Sequence, residues 1–239
     1  MTELLFREDA YVNESDAAVV AHTPEGGIVL DQSVFYPTGG GQPGDSGILA
    51  WGNQSIEIAT TVKSPDGEII LVPAAPQALP PVGSIVVQRL DWARRYGHMR
   101  VHTALHLLSV VIPLPVTGGS ISVEKGRLDF DMPEAPEDKE ALTAQLNALI
   151  AQDLDVGEQW ITDAELAANP GLVKTMSVKP PMGAGHVRLV RIGTGNDQID
   201  LQPCGGTHVA RTGEIGRVRL GKIEKKGRQN RRVYLHLDG

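Results

Sequence analysis

The sequence predicts an α+β chain of two domains: a small β-barrel or sandwich over residues 1–90, then a mixed domain of helices and strands over 91–239. Three observations carry this. Short apolar runs punctuated by turn residues fill the first part. The hydrophobic period changes to that of a helix at Asp91, and strands and helices then alternate irregularly to the C-terminus.

In the first domain, residues 17–21 and 28–30 flank Pro24-Glu25-Gly26-Gly27, and residues 56–62 and 68–72 flank Ser64-Pro65-Asp66-Gly67; both read as hairpins. A Pro/Ala-rich loop over 73–84 precedes a strand at 85–90, and no helical period of useful length occurs. Between the hairpins lies Phe35-Tyr36-Pro37-Thr38-Gly39-Gly40-Gly41-Gln42-Pro43-Gly44-Asp45-Ser46-Gly47. Gly39, Gly41 and Gly44 formally match the dinucleotide fingerprint, but turn and strand residues follow where that motif requires a helix. Two readings fit this loop. Its glycines supply positive φ angles, or they let backbone approach a ligand, with Thr38, Gln42 and Asp45 as polar groups.

From Asp91, a plausible N-cap, residues 92–111 read as one amphipathic helix with Tyr96, Met99, Leu105, Leu108 and Val111 on its apolar face. Arg94, Arg95 and Arg100 lie on or beside it, and His98 is expected to face solvent. Strands at 116–123 and 127–131 are expected around a turn at Glu124-Lys125-Gly126. A second helix follows over 137–152, with Leu142, Leu146, Leu149 and Ile150 inward. Beyond it come a strand at 158–161, a short helix at 163–168 and a Pro/Gly-rich stretch from Lys179 to Gly185. Strands at 186–192 and 198–201 and a terminal hairpin of 217–223 with 232–237 complete the chain.

The chemistry concentrates in two pairs. His102 and His106 stand four apart on the helix, one above the other on the same face, and Cys204 and His208 repeat the spacing. Cys204 is the only cysteine, which excludes an internal disulfide and fits a reducing cytoplasm. Thiolate and neutral imidazole suit zinc, so the four residues are expected to share one ion.

Composition is that of a soluble globular protein, with 41% hydrophobic and 21% charged residues. The charged start of the chain is not expected to be a signal peptide, and no apolar run is long enough to span a membrane. Net charge is −7 but unevenly spread. Eleven acidic residues and one basic one lie between Asp129 and Glu165. Eight basic residues and one acidic one lie between Arg217 and Arg232, either a solvated hairpin or a patch for RNA phosphate.

Arg94-Arg95 with Met99-Arg100-Val101-His102-Thr103-Ala104-Leu105-His106-Leu107-Leu108 resembles the editing domain of alanyl-tRNA synthetase. So does Cys204-Gly205-Gly206-Thr207-His208-Val209 followed by Thr212-Gly213-Glu214-Ile215-Gly216, and the glycine-rich loop is similar to the one preceding that domain. Without an aminoacylation core, the whole resembles the free-standing AlaX proteins of medium length. The resemblance implies an editing domain of the kind shared by threonyl- and alanyl-tRNA synthetases over residues 91–239, a zinc cofactor, and deacylation of tRNA(Ala) carrying serine or glycine. Further roles are expected from position beside the two pairs and in the basic patch and, for Thr38, also from the resemblance. Asp200 and Gln202 are candidates for contacting substrate or positioning water. Thr38, Gly40, Gly41, Gln42 and Thr103 are candidates for holding the amino acid, with Thr38 meeting the serine hydroxyl. Arg94, Arg95, Lys225, Lys226 and Arg228 are candidates for holding tRNA.

Two other classes compete. A zinc protease is disfavoured because His-Thr-Ala-Leu-His lacks the glutamate base of His-Glu-x-x-His. A non-catalytic RNA-binding module with structural zinc fits the four ligands, since a closed tetrahedron leaves no open position. A threonyl-type editing domain shares the ligands but not the glycine-rich barrel.

Overall fold

The computed structural model describes residues 2–175 and 185–238. Most of the Pro/Gly-rich stretch expected from Lys179 therefore lies outside the described residues. The chain divides into two compact units, Met1–Tyr96 and Gly97–Gly239.

The first unit opens with β1 (Glu3–Leu4) and a single helical turn, α1 (Leu5–Glu8), which alternation gives no hint of. The strands that follow are β2 (Glu14–His22), β3 (Ile28–Leu30), β4 (Gln32–Ser33), β5 (Gly47–Trp51), β6 (Gln54–Lys63), β7 (Ile69–Pro73) and β8 (Ile85–Leu90). Six of them close into a barrel in the order β2-β3-β7-β6-β5-β8, with β8 pairing back to β2. Closure removes exposed edges. Alternation does the rest: Ile56 and Ile58 of β6 point inward with Leu30, Leu49, Leu71 and Val86, while Glu57 points out.

Helix α2 (Trp92–Val111) starts in this unit and continues into the second. The Asp91 carboxylate accepts the Arg94 N–H at 3.1 Å, the expected cap. Between Val101 and Ser109 the helix is not amphipathic. Every residue from Val101 to Ser109 is buried, and His98, expected at the surface, is buried as well. A helical stretch enclosed on all sides carries its polar groups inside, and here they are the histidines, Thr103 and Ser109.

The second unit holds two antiparallel sheets. One is β9 (Val116–Ile121), β10 (Lys125–Asp131), β14 (Val218–Lys225) and β15 (Asn230–Leu237), in the order β14-β15-β10-β9. The turn between β9 and β10 is two residues earlier than expected, with the Ser122 N–H donating to the Lys125 carbonyl at 2.8 Å. Gly126 is a strand residue. A Cβ there would lie 2.7 Å from Val101 and 2.9 Å from Leu105, so this glycine admits α2 against the sheet. Helix α3 (Lys139–Ala151) is capped by Asp138 and covers β14, where Asn147 brackets Val218 with bonds of 2.8 and 2.9 Å.

The other sheet is β11 (Val156–Thr162), β12 (His186–Ile192) and β13 (Asp200–Pro203). Helix α4 (Asp163–Ala168), closed by a Thr162/Glu165 capping box, packs Leu166 with Val187 and Leu189 of one sheet face. Among the described residues no helix is long and apolar enough to cross a membrane.

Candidate metal centre

Helix α2 presents His102 and His106 one turn apart, each 7% exposed, toward the loop that leaves β13. That loop supplies Cys204 and His208. The Cys204 Sγ lies 3.4 Å from His102 Nε2 and 3.3 Å from His208 Nε2, and ligand atoms of all four residues fall within 4.8 Å of one another. The two expected pairs thus form one cluster that could hold a metal ion.

Hydrogen bonds fix which imidazole nitrogen faces the cluster. Thr103 is fully buried and its hydroxyl proton goes to the Met99 carbonyl at 3.0 Å. The His208 Nδ1–H then donates to the Thr103 oxygen at 3.1 Å, leaving the Nε2 lone pair beside sulfur. His106 works the same way: Nδ1 lies 3.1 Å from Asp200 Oδ2, and a proton held there frees Nε2. Gln202 donates to the same Asp200 oxygen at 2.7 Å and reaches Ser109 Oγ at 3.3 Å. Lys174 completes the chain, with Nζ 2.5 Å from Asp200 Oδ1.

Electrostatics follows from this enclosure. Burial disfavours the His106 imidazolium, but Asp200 and the Cys204 sulfur outweigh it and raise its pKa to about 9. Burial pushes the Asp200 carboxyl up, yet the bond and charge of His106, with Lys174, hold it below the usual range. Burial also raises the Cys204 thiol, but the neighbouring imidazoles, His102 foremost, carry it well below its ordinary value. Burial and the neighbouring His102 depress His208 strongly. A thiolate surrounded by imidazoles competing for protons is a site suited to a cation.

Arg188, which sequence reading missed, shapes the loop. It donates to the Cys204 carbonyl at 2.9 Å and the Gly206 carbonyl at 3.0 Å, and pairs with Glu158 at 2.7 Å. Lys174 was missed too, because nothing local marks a lysine that reaches 26 residues along the chain.

Residues 187–234 match the family described as Threonyl and Alanyl tRNA synthetase second additional domain, and residues 8–94 match tRNA synthetases class II (A). The alanyl-tRNA editing protein AlaX-M of Methanosarcina acetivorans is 33% identical to this chain, covering 99% of each. The chain belongs to the AlaX family of alanyl-tRNA editing proteins. AlaX-M of Saccharolobus solfataricus is 34% identical over 98% of each chain. The alanine–tRNA ligase of Caldivirga maquilingensis is 33% identical over 94% of this chain but only 25% of its own length. The AlaX chain thus corresponds to a quarter of that ligase.

The other expected site residues of this AlaX chain divide. Thr103 is fully buried and its hydroxyl is engaged by His208. Arg95 is misplaced as a tRNA contact: it is fully buried, bonded to Asp45 at 2.5 and 2.9 Å and to the Ala10 and Val34 carbonyls. Arg94 is half-buried. In the glycine-rich loop, Gly40 and Gly41 have φ of 57° and 83°, making a two-residue turn closed by Gly39 and Gln42. Gln42 is buried, whereas Thr38 is exposed, its hydroxyl donating to Thr61 O at 3.3 Å and accepting the Gly44 N–H at 2.9 Å. That hydroxyl therefore holds the loop together. The fingerprint glycines meet β5 rather than a helix, as expected.

The basic hairpin is partly neutralised. Glu224 pairs with Lys222 and Lys226, each at 2.8 Å, which lowers its pKa to about 2. Arg219 pairs with Asp238, and Arg232 grips Asp129 with two bonds. Arg231 is buried against the carbonyls of Pro133, Gly227 and Asn230. Among the described residues, Arg217, Lys225 and Arg228 are exposed and make no ion pair.

Proposed function

We propose that this chain is a zinc-dependent trans-editing hydrolase that removes serine, and also glycine, from mischarged tRNA(Ala). Membership of the AlaX family makes it an alanyl-tRNA editing enzyme, hence a hydrolase of the ester between amino acid and tRNA. Such a second site is useful because a pocket for alanine discriminates poorly against glycine and serine. The cytoplasm is the compartment that fits this substrate.

The observation carrying the zinc reading is the donor cluster. Zn–N near 2.05 Å and Zn–S near 2.3 Å in a tetrahedron give edges of roughly 3.3–3.6 Å. The two sulfur-to-imidazole distances, 3.4 and 3.3 Å, lie within about 0.3 Å of the sulfur-to-nitrogen edge, the longer of these at about 3.6 Å. His102, His106, Cys204 and His208 would hold the ion, which, with one of them displaced or the coordination expanded, would supply a Lewis acid for the ester carbonyl or acidify a water. The chain's own contribution is orientation. Asp200 keeps the proton of His106 on Nδ1, Thr103 does so for His208, and Arg188 sets the Cys204 loop. On this reading Asp200 is a positioning residue rather than one that touches substrate.

The deciding experiment is hydrolysis of seryl-tRNA(Ala) with and without chelator. Activity lost on chelation and restored by zinc supports the proposal. Zinc-loaded protein that binds the tRNA but leaves the ester intact would instead be an RNA-binding module with structural metal.

Two further results are expected. Asp200→Asn should weaken zinc binding by about 10- to 100-fold, the usual effect of losing a carboxylate behind a ligating histidine. Competition with a chromophoric chelator measures this, and an affinity equal to wild type would remove Asp200 from the site. In the hairpin, Lys225→Ala with Arg228→Ala should reduce the salt slope of tRNA binding by about two units, near 0.9 per phosphate contact. Lys226→Ala should change it less, since Glu224 already engages that ammonium. An unchanged slope in the double variant would make the hairpin a solvated face.

A further inference from the structure

The sheet β11-β12-β13 has two unlike faces. One carries Ile161, Val187, Leu189 and Leu201 against Leu166 and is apolar. Cross-strand partners share a face, so the opposite face is read from the register: Glu158 pairs Val190, which pairs Gln202, and Trp160 pairs Arg188. Gln202 and Asp200 reach His106 from this face. The Glu158–Arg188 ion pair and the bonds from Arg188 to the Cys204 loop lie on it too. Trp160 therefore shares the face that bears the metal cluster.

Its place in the row is specific. The Cys204 N–H donates to the Arg188 carbonyl at 3.2 Å, so Trp160, Arg188 and Cys204 follow one another across the sheet. Two strand spacings put the Trp160 and Cys204 backbones about 10 Å apart. Trp51 and Trp92 are half-buried, but Trp160 is 51% exposed on an edge strand, where an uncovered indole is a hazard unless something covers it. An ester bound at the cluster brings a defined object with it: the carbonyl is joined to a terminal ribose, and a nucleobase stands on the other side of that sugar.

We infer that Trp160 is the stacking platform for the terminal nucleobase of the tRNA, at the edge of the sheet whose inner strand leads to the metal ligands. The inference rests on the editing function proposed above. The π-face accepts any base, so the indole anchors the 3′ end without reading its sequence. Arg188 ties the platform to the cluster, since one guanidinium holds both the Cys204 loop and the Glu158 carboxylate two residues from the indole.

The test uses the zinc-loaded protein and the non-hydrolysable seryl amide of 3′-amino-3′-deoxyadenosine. Trp160→Ala should weaken binding of this compound by roughly tenfold or more, and Trp160→Phe should restore part of the loss. The KM for seryl-tRNA(Ala) should rise by a similar factor while kcat and zinc content stay within about twofold of wild type. Serinamide, which has no base, should bind wild type and Trp160→Ala equally. If wild type hydrolyses the tRNA and Trp160→Ala matches it in KM and in binding the analogue, the stacking role is overturned while the editing reading stands. If wild type binds the analogue through Trp160 but hydrolyses nothing, the editing reading falls and the stacking role stands.

Discussion

Arg95→Met should destabilise the fold by about 3–5 kcal/mol, the usual effect of removing one partner from a buried ion pair. Arg95 is completely enclosed in the first unit, and Asp45 beside it is only 1% exposed. One carboxylate oxygen, Oδ2, accepts from Arg95 Nε and Nη2 and from the Tyr36 N–H at 2.7 Å. Burial raises the pKa of Asp45, and Arg95 is the largest influence opposing it. Methionine fills similar space but leaves a buried carboxylate and the carbonyls of Ala10 and Val34 without their donor. Urea unfolding followed by tryptophan fluorescence measures this well, since Trp51 and Trp92 both lie in the first unit. Adding Asp45→Asn should recover part of the loss, because the buried charge is gone. A change below 1 kcal/mol in Arg95→Met would mean that the pair contributes little.

Cys204→Ala should lower zinc affinity by more than ~100-fold and reduce ester hydrolysis to background. Losing a ligand exceeds the 10- to 100-fold effect of a residue behind one. The variant keeps its loop, because Arg188 bonds to the backbone carbonyls of residues 204 and 206 and not to the side chain. Folding and metal loss can therefore be separated. Circular dichroism should match wild type while metal analysis shows no zinc. Retained stoichiometric zinc in Cys204→Ala would exclude the sulfur from the donor set.

What could be read from sequence was what local periodicity encodes. Helix α2 was expected over its full length because its apolar pattern is uninterrupted, and its cap at Asp91 is local chemistry. The barrel followed from alternating strands and turn residues, and the ligand pairs from i, i+4 spacing. Contacts between distant segments were not legible. Arg95 looked like a surface cation because its partner lies 50 residues earlier. Gly126 looked like a turn residue because sequence does not show the helix above it. His98 looked exposed because the pattern of one helix cannot reveal that it is covered on every side. Arg188, Lys174 and Trp160 sit in unremarkable strings, and only sheet register brings the first and last of these into a row with Cys204.

The four residues that could hold a metal come from two segments, with Cys204 102 residues after His102. A bound ion consequently acts as a cross-link across most of the second unit. In the chain-entropy account, closing a loop of about 100 residues destabilises the unfolded ensemble by roughly 4.7 kcal/mol, a figure calculated for disulfides rather than metals. The same site would then do two jobs on different timescales, hydrolysis in each turnover and durability over the life of the molecule. Stripping the ion should leave the barrel resistant to protease while the second unit is cut faster, so that loss of the catalyst also marks the chain for removal.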